Sequence, residues 1–351
     1  MKTIIKSNRT FGVELEFNSR ENQVTIANRI NNKFRSLECR GESYNHATQP
    51  YWKVITDSSV SSRLGYGLEI VSPILKGKKG MNELIKVADF LNDMDDVEVD
   101  VSCGVHVHID INDATPRQVG NIVKLYAKQS EFIDCVVAPS RRWDGNKGLR
   151  WSQNMYRGCG FDLGDNERLW NTIDNRLDQT EGETNVSQIN RLADTLGGRY
   201  RAVNLTSYRK YGTVEFRQHA GTLDSSKLNN WVVFCGNLVD RAVKANKIYK
   251  SATTFEKTFS SSKTLKKFMS KRAVGFGFEQ FRVEEDIVRV AGKQLSNELE
   301  LVKLSNGSFK IFENGVSVDN VKSHLREWAS RFNIACEGLT TRSLGQLVLA
   351  A

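Results

Sequence analysis

Proline is scarce in this 351-residue chain, with only four residues. That is about 1%, against a usual ~5%, and it excludes proline-rich linkers and collagen-like repeats. No apolar run approaches the ~18 residues that a membrane helix needs. Met1-Lys2-Thr3-Ile4-Ile5-Lys6 has two lysines but no apolar stretch behind them, so a secretory signal is not expected. The six cysteines (Cys39, Cys103, Cys135, Cys159, Cys235, Cys336) form no C-x-x-C pair. Neither a zinc ribbon nor a disulfide scaffold is therefore expected, and most cysteines read as buried small hydrophobes. A reducing, cytoplasmic setting follows as the expectation. Two phosphate-binding signatures are also missing: there is no G-x-x-x-x-G-K-[ST] loop, and no G-x-G-x-x-G follows a strand. The nearest run, Ala273-Val274-Gly275-Phe276-Gly277-Phe278-Glu279, reads as a tight strand or turn.

What is present is an ordinary globular composition. Hydrophobic residues make up 39% and charged residues 26%, with 17 Phe, 9 Tyr and 6 Trp, which excludes a fully disordered chain. The length suits two domains better than one. Basic residues outnumber acidic ones 50 to 41, a net charge of +9. The excess is local. From Arg241 to Arg272 there are ten Lys or Arg and one acid, Glu256, and the rest of the chain is neutral overall. Such a stretch suits an anionic partner, but a solvated helix face and linker would look the same.

Hydrophobic periodicity sets the expected elements. Strands are expected at 11–17, 53–57, 68–73, 97–101, 105–111, 200–205 and 212–218. Helices are expected at 25–35, 80–92, 183–196 and 228–250. Another runs from Thr115-Pro116, a cap followed by proline at the first position, toward Val137. Ser140 to Gly182 is polar and punctuated by Trp143, Trp151 and Trp170, with short elements at most. It reads as a lid or as core anchors. Beyond Arg272, a helix at 284–290, a strand at 309–312 and a helix at 321–332 form a small unit. The element order indicates α+β or mixed α/β, with a mostly antiparallel sheet.

The informative residues are ionisable ones inside strand patterns. Glu14 and Glu16 lie two apart and share a strand face, as do His106 and His108, and Glu215 and Arg217. Glu69 adds an acid in an apolar strand. Histidine is rare here, with five in the chain, yet two sit at i, i+2. Four carboxylates suit one or two Mg²⁺ or Mn²⁺ ions, which prefer oxygen ligands and bind phosphates. Zinc on His106, His108 and a Glu is the competing reading, and a salt-bridge network across a sheet is the plainest. The number of acids favours the harder ions. An arginine nearby would steady charge on a transferring phosphoryl group.

Gly12-Val13-Glu14-Leu15-Glu16, Glu69-Ile70-Val71-Ser72-Pro73, Cys103-Gly104-Val105-His106-Val107-His108, and Asn204 with Thr213-Val214-Glu215-Phe216-Arg217 resemble the amidoligase family. Gly221-Thr222 also fits the pattern, and the resemblance covers roughly residues 10 to 245. That family is similar in fold to glutamine synthetase and glutamate–cysteine ligase. The resemblance implies a curved, mostly antiparallel sheet with helices on its convex face, and ATP and divalent metals on the concave face. It implies ligation of a carboxylate to an amine through an acyl phosphate. It also implies metal ligands at Glu14, Glu16, Glu69, His106 and Glu215, with His106 or His108 beside the metal or the phosphates. Arg217 would contact the γ-phosphate or the acyl phosphate. Arg199, Arg201 and Asn204 would take weaker roles in binding nucleotide or substrate. Small-molecule, peptide or protein carboxylates and amines are the implied substrates.

The expected organisation is a ligase-like domain at 1–245, a basic linker or helix extension at 246–272, and an accessory domain at 273–351. A metal-dependent nuclease or phosphotransferase, and a non-catalytic nucleic-acid-binding protein, are the alternative functions. The ordered set of acids disfavours the first. The lack of interleaved arginines or stacking aromatics in the basic stretch disfavours the second.

Overall fold

The computed structural model describes residues 9–142, 151–249, 263–278, 289–296, 298–304, 309–313, 316–317, 321–336 and 339–350. The chain divides into two compact units, Met1–Arg282 and Val283–Ala351.

In the first unit β1 (Thr10–Ser19) sits near the middle of a nine-stranded sheet. The path runs β2 (Cys39–Gly41), β3 (Trp52–Thr56), β4 (Tyr66–Val71), β1, β7 (Gly104–Asp110), β9 (Thr213–Ala220), β8 (Val203–Asn204). The short strands β5 (Leu75–Lys76) and β6 (Val97–Glu98) also pair with β1. Most pairs are antiparallel, but β2 and β3 run parallel. The sheet is thus α+β, mixed and open, with β2 and β8 at the ends of its path and no strong curl. This corrects the expected curved, glutamine synthetase-like sheet. Strand alternation gave the local pattern correctly, but curvature and the hand of edge pairing are tertiary properties that alternation does not encode.

Alternation along β1 buries Phe11, Val13, Leu15 and Phe17. They join one core with Leu68, Ile70, Val105, Val107, Ile109, Val214 and Phe216. Helices α1 (Gln23–Lys33) and α9 (Ser225–Lys244) pack on β3 and β7, and α3 (Pro116–Lys128) packs on α9. Helix α2 (Gly77–Asn92) joins the same layer against α9. Helix α3 opens with a capping box, the Thr115 side chain accepting from Gln118 N–H while Gln118 returns a bond to Thr115 N–H. The expected helix to Val137 is two pieces, because Gln129 interrupts it before α4 (Ser130–Val136).

Residues 140–182 depart most from expectation. After a short α5 (Met155–Gly158) comes a full 14-residue helix, α6 (Asn166–Gln179). Asp165 caps it by accepting from Arg168 N–H, and Leu169, Trp170, Ile173 and Leu177 form its buried stripe. Trp170 is a core anchor whose indole donates to the Ile248 carbonyl at 2.8 Å. Trp143 lies outside the described residues. Helix α7 (Asn185–Thr195) and the single turn α8 (Tyr208–Tyr211) follow. Helix α9 ends at Lys244, short of Lys250, and α10 (Lys263–Gly275) includes the glycine expected in a turn.

The second unit is an antiparallel meander of β10 (Arg289–Gln294), β11 (Leu299–Leu304), β12 (Phe309–Glu313) and β13 (Val316–Ser317). Two helices follow, α11 (Val321–Arg331) and α12 (Thr341–Ala350). Leu301, Phe309, Ile311, Leu325, Trp328 and Leu344 form its core. Arg289 and Val290, expected in a helix, are in a strand, and the rest of that expected helix lies outside the described residues.

Candidate active site

The face of the sheet opposite the core carries the polar set. Register brings its members together across four strands. Glu16 lies opposite Glu69, Glu14 opposite His106, and His108 opposite Glu215. Glu215 in turn faces Asn204 on β8. Between Val105 and Val107 the β7–β9 pairing shifts, giving β9 an extra residue. Arg217 lines the cavity, while Gln218 and His219, at the irregularity, are both buried. Gln218 accepts from Tyr126 Oη at 2.7 Å and donates to Asp134 Oδ1 at 2.8 Å and the Arg141 carbonyl at 3.1 Å.

Glu14 is the hub. His106 Nδ1 is 2.9 Å from its Oε2, and His108 Nε2 is 3.3 Å from its Oε1. The other ring nitrogen of His108 is 3.0 Å from Thr213 Oγ1. His106 also reaches Glu16 at 3.6 Å and Glu215 at 3.7 Å. Glu16 Oε2 accepts from Gly104 N–H at 2.6 Å. Glu215 accepts from Asn204 Nδ2 at 2.5 Å and pairs with Arg217, which also donates to the Trp151 carbonyl at 3.2 Å.

Two glycines and an aspartate hold the start of β7. A Cβ on Gly221 would lie 2.4 Å from Cys103 Cβ, so only glycine allows its N–H to bond the Cys103 carbonyl at 2.7 Å. A Cβ on Gly104 would lie 3.3 Å from both Glu16 Oε2 and His106 Nε2. Asp100 accepts from Ser102 N–H at 2.8 Å, Ser61 Oγ at 2.7 Å and Asn18 Nδ2 at 3.0 Å. Burial opposes its charge, yet hydrogen bonds from the Ser102 hydroxyl, the Ser61 hydroxyl and Ser102 N–H hold its carboxyl down at about 2.

The electrostatics divide the carboxylates. Burial disfavours the charge on Glu14, but hydrogen bonds from His106 and His108 outweigh it and hold the group well below the usual range. Burial likewise opposes Glu215, and Arg217 and His108 bring it down. Burial would lower His108, yet Glu14 raises it. Glu69 goes the other way: burial, then the Glu14 and Glu16 charges, push it well above its ordinary value.

Two sets of ligand atoms lie within 4.8 Å of one another: Glu14, Glu69 and His106, and Glu14, His108 and Glu215. Each offers two carboxylates and an imidazole, a donor set that fits a divalent cation. They sit at a cavity of about 1140 Å³.

Of the residues singled out from sequence, Glu14, Glu16, Glu69, His106, His108, Arg199 and Arg217 line this cavity. Glu215 and Asn204 are buried behind Arg217. Arg201 is elsewhere: its guanidinium is taken up by Gln153 and by the Leu196 and Gly158 carbonyls, at 2.8 and 2.6 Å. Lys53 and Arg141 line the cavity without having been singled out. Lys53 carries a readable signal, a charge in the apolar strand Trp52–Thr56. Arg141 carries none, because it follows Pro139 in a turn without periodicity. Exposed Trp151 and Tyr200 pack edge to face on the rim, 5.0 Å between centroids.

This strand-borne carboxylate and histidine set could hold a divalent cation. The model of the family described as "Putative amidoligase enzyme" matches residues 7–239, and the chain belongs to that family. A search of curated proteins finds no match to the chain.

Proposed function

We propose that the protein is an ATP- and Mg²⁺-dependent ligase that joins a carboxylate to an amine through an acyl phosphate, with Mn²⁺ as an alternative ion. The observation that carries this reading is the pair of ligand sets sharing Glu14 at one large cavity. Glu14, Glu69 and His106, with His108 and Glu215, would hold divalent cations, and Glu16 would complete the shell. When bound, such ions neutralise the triphosphate charge that otherwise repels an attacking carboxylate.

The chain's own residues supply the rest. His106 and His108 orient Glu14 and keep it ionised at neutral pH. Arg217, fixed by Glu215 and the Trp151 carbonyl, presents positive charge toward the cavity, where a transferring phosphoryl group gathers negative charge. Arg199 on the rim suits the outer phosphates or a substrate carboxylate. Asn204 steadies Glu215. A substrate carboxylate oxygen attacks the terminal phosphorus, and ADP leaves with the electrons of the broken P–O bond. The amine nitrogen then attacks the acyl carbon, inorganic phosphate leaves, and a nearby carboxylate takes the amine proton.

The test is ADP release with Mg²⁺ across panels of carboxylates and amines, followed by transfer of ¹⁸O from labelled carboxylate to phosphate. The expected result is amine-dependent turnover with label in phosphate, lost in Glu215→Gln by at least ~100-fold. Metal-dependent cleavage of plasmid DNA, with no ADP released under any pairing, would overturn the reading.

A further inference from the structure

The cavity is lined by five basic residues, Lys53, Arg141, Arg199, Lys210 and Arg217. Three of them are poorly placed to take an inner anion, and a fourth, Arg217, is already engaged on its inner side. Arg199 and Lys210 are exposed at the rim. Lys53 directs its ammonium at Asn45 and Ala47, with three hydrogen bonds of 2.8–2.9 Å. Arg217 is paired with Glu215 and bonded to the Trp151 carbonyl.

Arg141 differs. It lies in the turn Pro139–Arg141 and is only 8% exposed. Among the described residues its guanidinium makes one hydrogen bond, from Nη2 to the Cys103 carbonyl at 2.5 Å. Among the described residues no carboxylate comes within ion-pair range of it. A buried guanidinium without a carboxylate partner is costly, and burial accordingly lowers its pKa. The turn is held in place: Gln218 donates to the Arg141 carbonyl, and Arg141 N–H bonds the Ala138 carbonyl at 2.8 Å. Its Nη2 lies 3.5 Å from the position a Gly104 side chain would take, a position 3.3 Å from Glu16 Oε2 and His106 Nε2. Arg141, Glu16 and His106 thus gather around Gly104, and all three line the cavity.

We propose that Arg141 is the inner oxyanion-binding residue of this cavity, taking a carboxylate or phosphoryl group beside Glu16 and His106. This deepens the ligase reading and uses its cavity, but it does not depend on the reaction. The fork of the guanidinium would give an oxyanion two parallel charge-assisted bonds, which a lysine cannot reproduce.

The test is calorimetric titration of the full chain with inorganic phosphate, ADP and succinate, with Mg²⁺ present. Arg141→Met is expected to weaken at least one of them about tenfold or more, and Arg141→Lys to fall between. Loss for phosphate and ADP identifies a phosphoryl site, and loss for succinate a carboxylate site. Unchanged binding of all three, or no binding to the wild-type chain, would overturn the proposal. If Arg141→Met does not fold, Arg141→Lys decides by the same criterion. Arg141-dependent anion binding without amide formation would sink the ligase reading alone. Amide formation with Arg141-independent binding would sink this one alone.

Discussion

Glu69 shows how one side chain ties the site to stability. It lies opposite Glu16 on β4, buried, with Glu14 close by. Its raised pKa means that the folded chain holds the proton more tightly than the unfolded chain does. Stability is therefore fullest below the ordinary value of 4.5 and falls as pH rises toward the raised value. Without divalent ions, Glu69→Gln is expected to gain at least about 1 kcal/mol over wild type at pH 7. The difference should close near pH 4. Saturating Mn²⁺ should reverse the order, because wild type gains a ligand that the variant lacks. Thermal melts at both pH values, with and without Mn²⁺, check this, and a variant less stable than wild type under metal-free neutral conditions would contradict it. Glu14 has the opposite sign. Its lowered pKa stabilises above the ordinary carboxylate range and is lost as pH falls through the lowered value. At this scale the sequence was largely legible, because i, i+2 spacing on strands places Glu14 with Glu16 and His106 with His108 by geometry alone. Arg141 was not legible. A turn has no period, and the position of its side chain depends on Gln218 and Cys103, distant in sequence.

At the scale of elements, the strands were the readable part and their connections were not. Capping residues and a proline marked the start of α3, and the buried stripe of α9 marked its middle. The segment 140–182 was read as loop because its polar residues and glycines hide the four-residue stripe of α6. Trp151 and Trp170 could not be told apart by composition, yet one lies at the cavity rim and the other in the core. The segment between β2 and β3 is similar. It carries Tyr44 and His46 to the cavity wall, and Lys53 on β3 holds it through Asn45 and Ala47. Burial lowers the Lys53 pKa, and the charges of Glu42 and Glu69 partly restore it. Lys53→Met is expected to speed amide exchange across residues 44–48 while leaving β4 and β7 protected. The cost in global stability should be about 1 kcal/mol or more, from unpaired carbonyls. Hydrogen exchange read by mass spectrometry checks this, and unchanged exchange at 44–48 would count against the latch.

At the scale of the whole molecule, charge and topology separate. The +9 belongs to residues 241–272, of which 250–262 lie outside the described residues, while the candidate site lies on strands of the first unit. Among the described residues no helix is long and apolar enough to cross a membrane. The mixed, open sheet was not legible, because the parallel β2–β3 pair depends on the path between two short strands. What the sheet does supply is a rigid floor on which one carboxylate, Glu14, belongs to both ligand sets. Mn²⁺ titration of the full chain, read by the free-ion paramagnetic resonance signal, probes that convergence. Wild type is expected to remove Mn²⁺ from solution, and Glu14→Gln to bind it more than about tenfold more weakly, since loss of an outer-shell partner alone costs ~10–100-fold. Equal affinity in the two proteins, or no Mn²⁺ bound by wild type, would contradict the account.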